Sequence, residues 1–217
     1  MHKNVIHGLF FTCFLGFSLT TNAALVSRLG GLAVYDTTRD ITWLADANAG
    51  AGSIFDDGFD NFDGKMTWNS AVAWAASLTV GGFNDWRLPI TVQPDPGCST
   101  QSGSGDFGTG CTASEMPHLF YSELGGTAGQ SILISGDPDL ALFSNLAANN
   151  YWSGTEYAPS PGGAWQFLFS NGNQATSGKP AGLRAWAVRD GDVAVVPIPA
   201  SALLLVLPLA ILVRRSS

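Results

Sequence analysis

Apolar residues fall into three regimes along this chain. One apolar run covers residues 9–19 and another residues 201–213, and between them hydrophobic positions recur in short, mostly alternating segments. Residues 32–36 and 41–44 read as two strands of a hairpin, joined by the polar turn Thr37-Thr38-Arg39-Asp40. A Gly- and Asp-rich loop, 49–65, follows. Thr67 is placed to cap a helix, in which Trp68, Ala71, Val72, Ala75 and Leu78 make one apolar stripe; Trp74 falls off that stripe, and Gly81-Gly82 stops the helix. Thr112-Ala113-Ser114-Glu115 matches the capping-box pattern of a second helix, with Leu119, Phe120 and Leu124 on its apolar face and Gly125-Gly126 at its end. The last third is β in character. Residues 151–156 form one strand, Trp165, Phe167 and Phe169 alternate on a second, Asn171-Gly172 is a hairpin turn, and 183–189 closes the domain. The order of these elements predicts an α+β domain.

The ends carry sorting information. Lys3, the short apolar run and Thr21-Asn22-Ala23 make a secretory signal, with cleavage after Ala23 because Thr21 and Ala23 supply small side chains. At the other end, residues 200–213 would rise only about 21 Å as a helix, short of a hydrocarbon core of roughly 30 Å, and Pro208 weakens the helix further. Arg214 and Arg215 would stay cytoplasmic and leave the domain outside. The Val196-Pro197-Ile198-Pro199-Ala200 motif, the short apolar segment and the basic end resemble the PEP-CTERM sorting tail, with Ile198 in place of the eponymous Glu. That resemblance implies an exosortase-type processing protease as a partner, with Pro197, Ile198, Pro199, Arg214 and Arg215 as the sorting motif. A plain tail anchor is the alternative. The expected organisation is therefore a signal at 1–23, a domain at 24–192 and a tail at 193–217. The protein would be held at the membrane before processing and released to the cell surface or matrix.

Charge and cysteine content narrow the domain's role. The chain has 17 acidic and 10 basic residues; setting aside Lys3, Arg214 and Arg215 leaves 7 basic residues between Ala24 and Asp192, a formal charge near -10. Such a surface repels phosphate backbones, which argues against nucleic acid as a partner. Cys13 leaves with the signal, so Cys98 and Cys111 remain as an even pair in an oxidising compartment and are expected to be bonded. Their bond would close a loop of about a dozen residues, worth roughly 3 kcal/mol in the chain-entropy view.

Five phrases stand in order: Asp40-Ile41-Thr42-Trp43-Leu44, Met66-Thr67-Trp68 with Ala71-Val72-Ala73-Trp74-Ala75, Asp85-Trp86-Arg87-Leu88-Pro89, Tyr151-Trp152-Ser153, and Arg184-Ala185-Trp186-Ala187-Val188-Arg189. Together they resemble the collagen-like adhesin C-terminal domain family. The resemblance implies a C-type-lectin-like, formylglycine-generating-enzyme-like fold, with two helices packed on a twisted antiparallel sheet. It also implies an adhesive role. The long stretch between Pro89 and the second helix, which contains both cysteines, is an insertion relative to that pattern. Arg87 is expected to satisfy buried carbonyls or a carboxylate with its planar fork.

Candidate chemistry is sparse. His118 is the lone histidine of the domain, and a lone helical histidine is ordinarily a packing or surface residue. No nucleophile, base and acid stand in a recognisable set, so no catalytic residues are assigned. Asp56, Asp60 and Asp63, with Asp57 and Asn61, could supply hard oxygen ligands to calcium, although the spacing is not that of an EF-hand. The 7 tryptophans suggest exposed rings that stack on sugars, with Trp74, Tyr157 and Trp165 as candidates. The leading expectation is an exported surface or matrix protein that binds or organises extracellular polysaccharide, neutral or cation-bridged given the domain's charge. A structural matrix component without a specific ligand is the alternative, and an enzyme the third.

Overall fold

The computed structural model describes residues 24–57, 60 and 62–193. The expected signal at 1–23 and all of the expected tail beyond Val193, with the expected sorting residues Pro197, Ile198, Pro199, Arg214 and Arg215, lie outside the described residues. Among the described residues no helix is long and apolar enough to cross a membrane.

The chain is α+β, dominated by antiparallel sheet. Strands β1 (Leu25–Arg28), β2 (Ala33–Asp36) and β3 (Ile41–Leu44) form a meander. The β2–β3 hairpin matches the sequence expectation, and its turn ends on Asp40 at φ 53, a left-handed conformation that Asp tolerates. After the acidic loop come β4 (Lys65–Met66) and helix α1 (Trp68–Ser77). The insertion contributes the hairpin β5 (Thr100–Ser102) and β6 (Gly105–Phe107). Helix α2 (Glu115–His118) runs directly into a π turn, Leu119–Glu123. Two 3-10 turns lead to β7 (Asn150–Glu156), β8 (Gly163–Leu168) and β9 (Asn173–Gly178), then β10 (Leu183–Arg184) and β11 (Val188–Asp190). One sheet runs β1-β2-β3-β11 and the other β4-β10-β7-β8-β9, with β10 parallel to β7 and the other pairs antiparallel.

Residues 183–189 are not one strand. Leu183 and Arg184 pair in the larger sheet, Val188 and Arg189 in the smaller, and Ala185, Trp186 and Ala187 cross between them fully buried. Trp186 packs on Trp43 at 4.9 Å, on Phe143 and on Tyr151, and its indole N–H donates to the Leu44 carbonyl at 2.7 Å. The one indole therefore joins the cores of both sheets. Burying such a ring is among the larger single contributions a domain of this size has.

Helix α1 begins where Thr67 predicts, with the Thr67 hydroxyl accepting from the Ser70 amide at 3.4 Å. Its buried face is Ala71, Trp74 and Ala75, while Val72 is exposed. The helix ends at Ser77, ahead of the glycines: Gly81 and Gly82, both at positive φ, form the tight turn between Val80 and Phe83 instead. The expected capping box at residues 112–115 does not form. The Thr112 and Ala113 amides donate to Asp95, and Ser114 sits at the N-cap without a side-chain cap bond. The Glu115 carboxylate turns to Arg87, at 2.8 and 2.9 Å, and to the Ile90 amide at 2.7 Å. A nearby guanidinium outcompetes a local amide for a nearly buried carboxylate.

Candidate functional site

The insertion has little apolar core of its own, and hydrogen bonds to two buried carboxylates do the ordering. Asp95, 1% exposed, accepts from the amides of Gly97, Thr112 and Ala113. Asp106 accepts from the Asp95 amide at 2.7 Å, while its own amide donates to the Gln93 side chain at 2.7 Å and its carbonyl accepts from Gln174 at 2.9 Å. Buried acceptors of this kind must find donors, and here the donors come from both ends of the insertion. Cys98 and Cys111 are disulfide-bonded, with Cα atoms 4.0 Å apart, as their parity predicts. Gly108 pairs with Gln174 at the edge of β9, and the Tyr121 hydroxyl joins the Gly110 amide (2.9 Å) to the Gly172 carbonyl (2.7 Å). The insertion is thus fixed to the sheet at several separate points.

Between the β5–β6 hairpin and residues 155–159 lies an open cleft of about 570 Å³. Hydroxyl and amide side chains face it, including Thr91, Gln93, Ser102 and Ser104, and Tyr157 and Trp165 lie on its aromatic side. Phe107, Tyr157 and Trp165 form a mutually packed trio, with centroids 4.8 Å apart for Phe107–Trp165 and 5.5 Å for Tyr157–Trp165. Gly105 crosses this trio at φ 140, and a Cβ there would stand 2.9 Å from the Trp165 ring. A side chain at 105 would push the hairpin off the trio. Of the two lining carboxylates, Glu156 is paired with Lys179 and Asp106 is held by the Asp95 amide. The surface is therefore built for neutral hydrogen bonding beside aromatic rings, and no histidine lines it.

The structure brings Tyr157 and Trp165 together but corrects Trp74. Trp74 is 2% exposed, because the acidic loop folds over its helix and Gly50 lets the backbone pass close to its ring; its face is not available to a sugar. Six of the seven tryptophans are buried, so their number reflects the core and not a surface of stacking platforms. Trp165, at 3%, supports the cleft wall, and the half-buried Tyr157 is the ring that remains accessible.

In the acidic loop each proposed ligand has a local task. Asp56 is buried and accepts from the Gly52 and Gly64 amides, Asp60 accepts from the Phe62 amide, and Asp63 pairs with the Lys65 amide and ammonium. Asp57 accepts from the Thr67 amide and from the Thr67 and Ser70 hydroxyls. Asp56, Asp60 and Asp63 do not form a set of ligand atoms within 4.8 Å of one another. Asp56 Oδ1 and Asn48 Oδ1 are buried without a partner among the described residues.

Sequence reasoning missed Phe107, Gln93 and the serines of the hairpin as parts of one site. The available signal was Ser102-Gly103-Ser104-Gly105, which makes the short turn between β5 and β6. Comparison of the chain with protein-family models, with curated proteins and with solved structures returned no match.

Proposed function

We propose that this chain is an exported surface or matrix protein whose cleft beside the β5–β6 hairpin binds extracellular polysaccharide. The observation that carries the reading is the cleft itself: an open, preorganised groove in which hydroxyl and amide groups converge beside the accessible Tyr157 ring. Sugars present apolar faces and a dense rim of hydroxyls, so a ring flanked by neutral donors and acceptors suits them. The engaged carboxylates and the acidic surface favour a neutral polymer over a sulfated one. The disulfide supports export, since such bonds persist in oxidising compartments. The arrangement of two short helices with antiparallel sheet is compatible with a divergent C-type-lectin-like domain of the adhesin type, tethered and sorted by the PEP-CTERM-like tail.

A glycan array probed with purified protein, with and without calcium, tests the proposal. Saturable, sugar-selective binding in both conditions is expected, because the cleft groups need no cation to hold their positions. Binding that required calcium would move the site to the acidic loop, with Asp56 and Asn48 as its first candidates. No selective binding at all would favour a structural matrix component.

A further inference from the structure

Away from the cleft, three acidic or imidazole side chains that the sequence left unconnected meet in the interior. Asp36 closes β2, His118 ends α2 and Glu123 ends the π turn. One ligand atom from each lies within 4.8 Å of the other two, and His118 Nε2 stands 2.8 Å from Glu123 Oε1. The π turn creates this meeting. Its i→i+5 bond, from the Leu124 amide to the Leu119 carbonyl at 2.9 Å, brings residues five apart onto one face, whereas an α-helix aligns those three and four apart. Such turns are rare and concentrate at functional positions.

The decisive atom is on Asp36. This residue is fully buried; Oδ1 accepts from the Thr38 and Arg39 amides at 2.9 and 3.0 Å, but Oδ2 is buried with no hydrogen-bond partner. Among the described residues no lysine or arginine forms an ion pair with Asp36 or Glu123. Two carboxylates and an imidazole thus share a buried space with an unused acceptor. A cation would relieve both the desolvation and the repulsion.

We infer that Asp36, His118 and Glu123 form a binding site for a divalent transition-metal cation of the zinc type. Metal–ligand bonds of about 2.0–2.2 Å separate tetrahedral ligand atoms by roughly 3.3 Å, which these side chains reach by small rotations. An imidazole nitrogen among the donors selects such metals over calcium and magnesium, whose ligands are oxygens. The His118 side chain keeps 11% exposure, so the cluster lies near the surface and not at the centre of the core. The bound ion would clamp the β2–β3 hairpin to the π turn. That turn also presents Tyr121, which holds the insertion at Gly110, so the clamp would stiffen the cleft's support.

Full-length protein stripped with chelator and titrated with Co²⁺ reads the site directly. Visible d–d absorption that saturates at one equivalent and is displaced by Zn²⁺, together with a Zn²⁺-dependent rise in melting temperature that Ca²⁺ and Mg²⁺ do not give, is the expected result. His118→Gln and Glu123→Gln should each weaken Co²⁺ binding at least about tenfold, while Asp60→Asn, in the separate acidic loop, should leave it unchanged. Asp36→Asn keeps acceptor capacity for the turn amides and removes the charge, so it tests the ligand set even if the helix variants fail to fold. The assignment is overturned if the wild type shows neither the absorption nor the shift, or if the response persists in Glu123→Gln and Asp36→Asn.

Discussion

Arg87 and Glu115 are joined by two parallel contacts, Nη1 to Oε2 at 2.9 Å and Nη2 to Oε1 at 2.8 Å. The pair ties the segment after α1 to the start of α2, and Arg87 also bonds the Leu88 carbonyl and the Asp190 carboxylate. Burial works against the Arg87 charge, but Glu115 and Asp190 outweigh it and hold its pKa above the ordinary guanidinium value. Glu115 is the more buried member, with a side chain 8% exposed against 30% for Arg87. Arg87→Met, which strands the carboxylate, should therefore cost about 2–3 kcal/mol, and Arg87→Met/Glu115→Leu should cost less than the sum of the single changes. Urea unfolding of the four proteins measures the coupling; additivity would show that the pair is energetically silent.

Removing the disulfide should loosen the insertion before the core. The Cys98→Ser/Cys111→Ser double variant is expected to lose up to roughly 3 kcal/mol, the loop-closure value for a bridge of this span. Amide exchange should accelerate first across residues 100–107, since that hairpin lies inside the closed loop. Uniform acceleration across both sheets would contradict a local role.

Acid sensitivity should pass through Asp57. Partial burial opposes its charge, but hydrogen bonds from Ser70 and Thr67 dominate and lower its pKa. A carboxyl whose folded pKa is depressed contributes stability above its unfolded value, about 3.9, and loses it as pH falls through the folded pKa. Asp57→Asn should thus be less stable than wild type at neutral pH, with the difference shrinking as pH falls below the unfolded value and through the depressed folded pKa. Unfolding curves at several pH values check the sign; a gap that persists in acid would assign the effect to packing.

Tyr157 and Trp74 should behave in opposite ways. Tyr157→Ala removes the accessible ring of the cleft and is expected to weaken binding of the array-selected glycan about tenfold, a loss typical of one well-placed aromatic, with little change in stability. Trp74→Ala should cost about 3–5 kcal/mol of stability because it empties a core position. Calorimetry on each variant separates the two roles.

Val193 lies one residue beyond the domain end expected from the sequence, Asp192. Val193 is 1% exposed and packs in the core beyond Asp192, which pairs with Arg28 of β1. A chain ending at Asp192 should be about 1–2 kcal/mol less stable than one ending at Val193, the value of burying one valine. Equal melting temperatures would place Val193 with the tail.

By itself the sequence determined what short-range chemistry can specify. The β2–β3 hairpin, the start of α1 at Thr67, the Asn171-Gly172 turn and the pairing of Cys98 with Cys111 each follow from a few adjacent residues or from cysteine parity. Tertiary structure decided which polar group meets which, and where an amphipathic stripe points. Glu115 abandoned its local cap because Arg87 lies beside it in a partly desolvated site, and charge-assisted bonds strengthen there. Trp74 went inside because the preceding acidic loop folds back over its helix, and residues 183–189 split because two sheets compete for them. Asp36 meets His118 and Glu123 only because a hairpin end packs against a π turn, a contact between side chains some eighty residues apart that no local periodicity encodes.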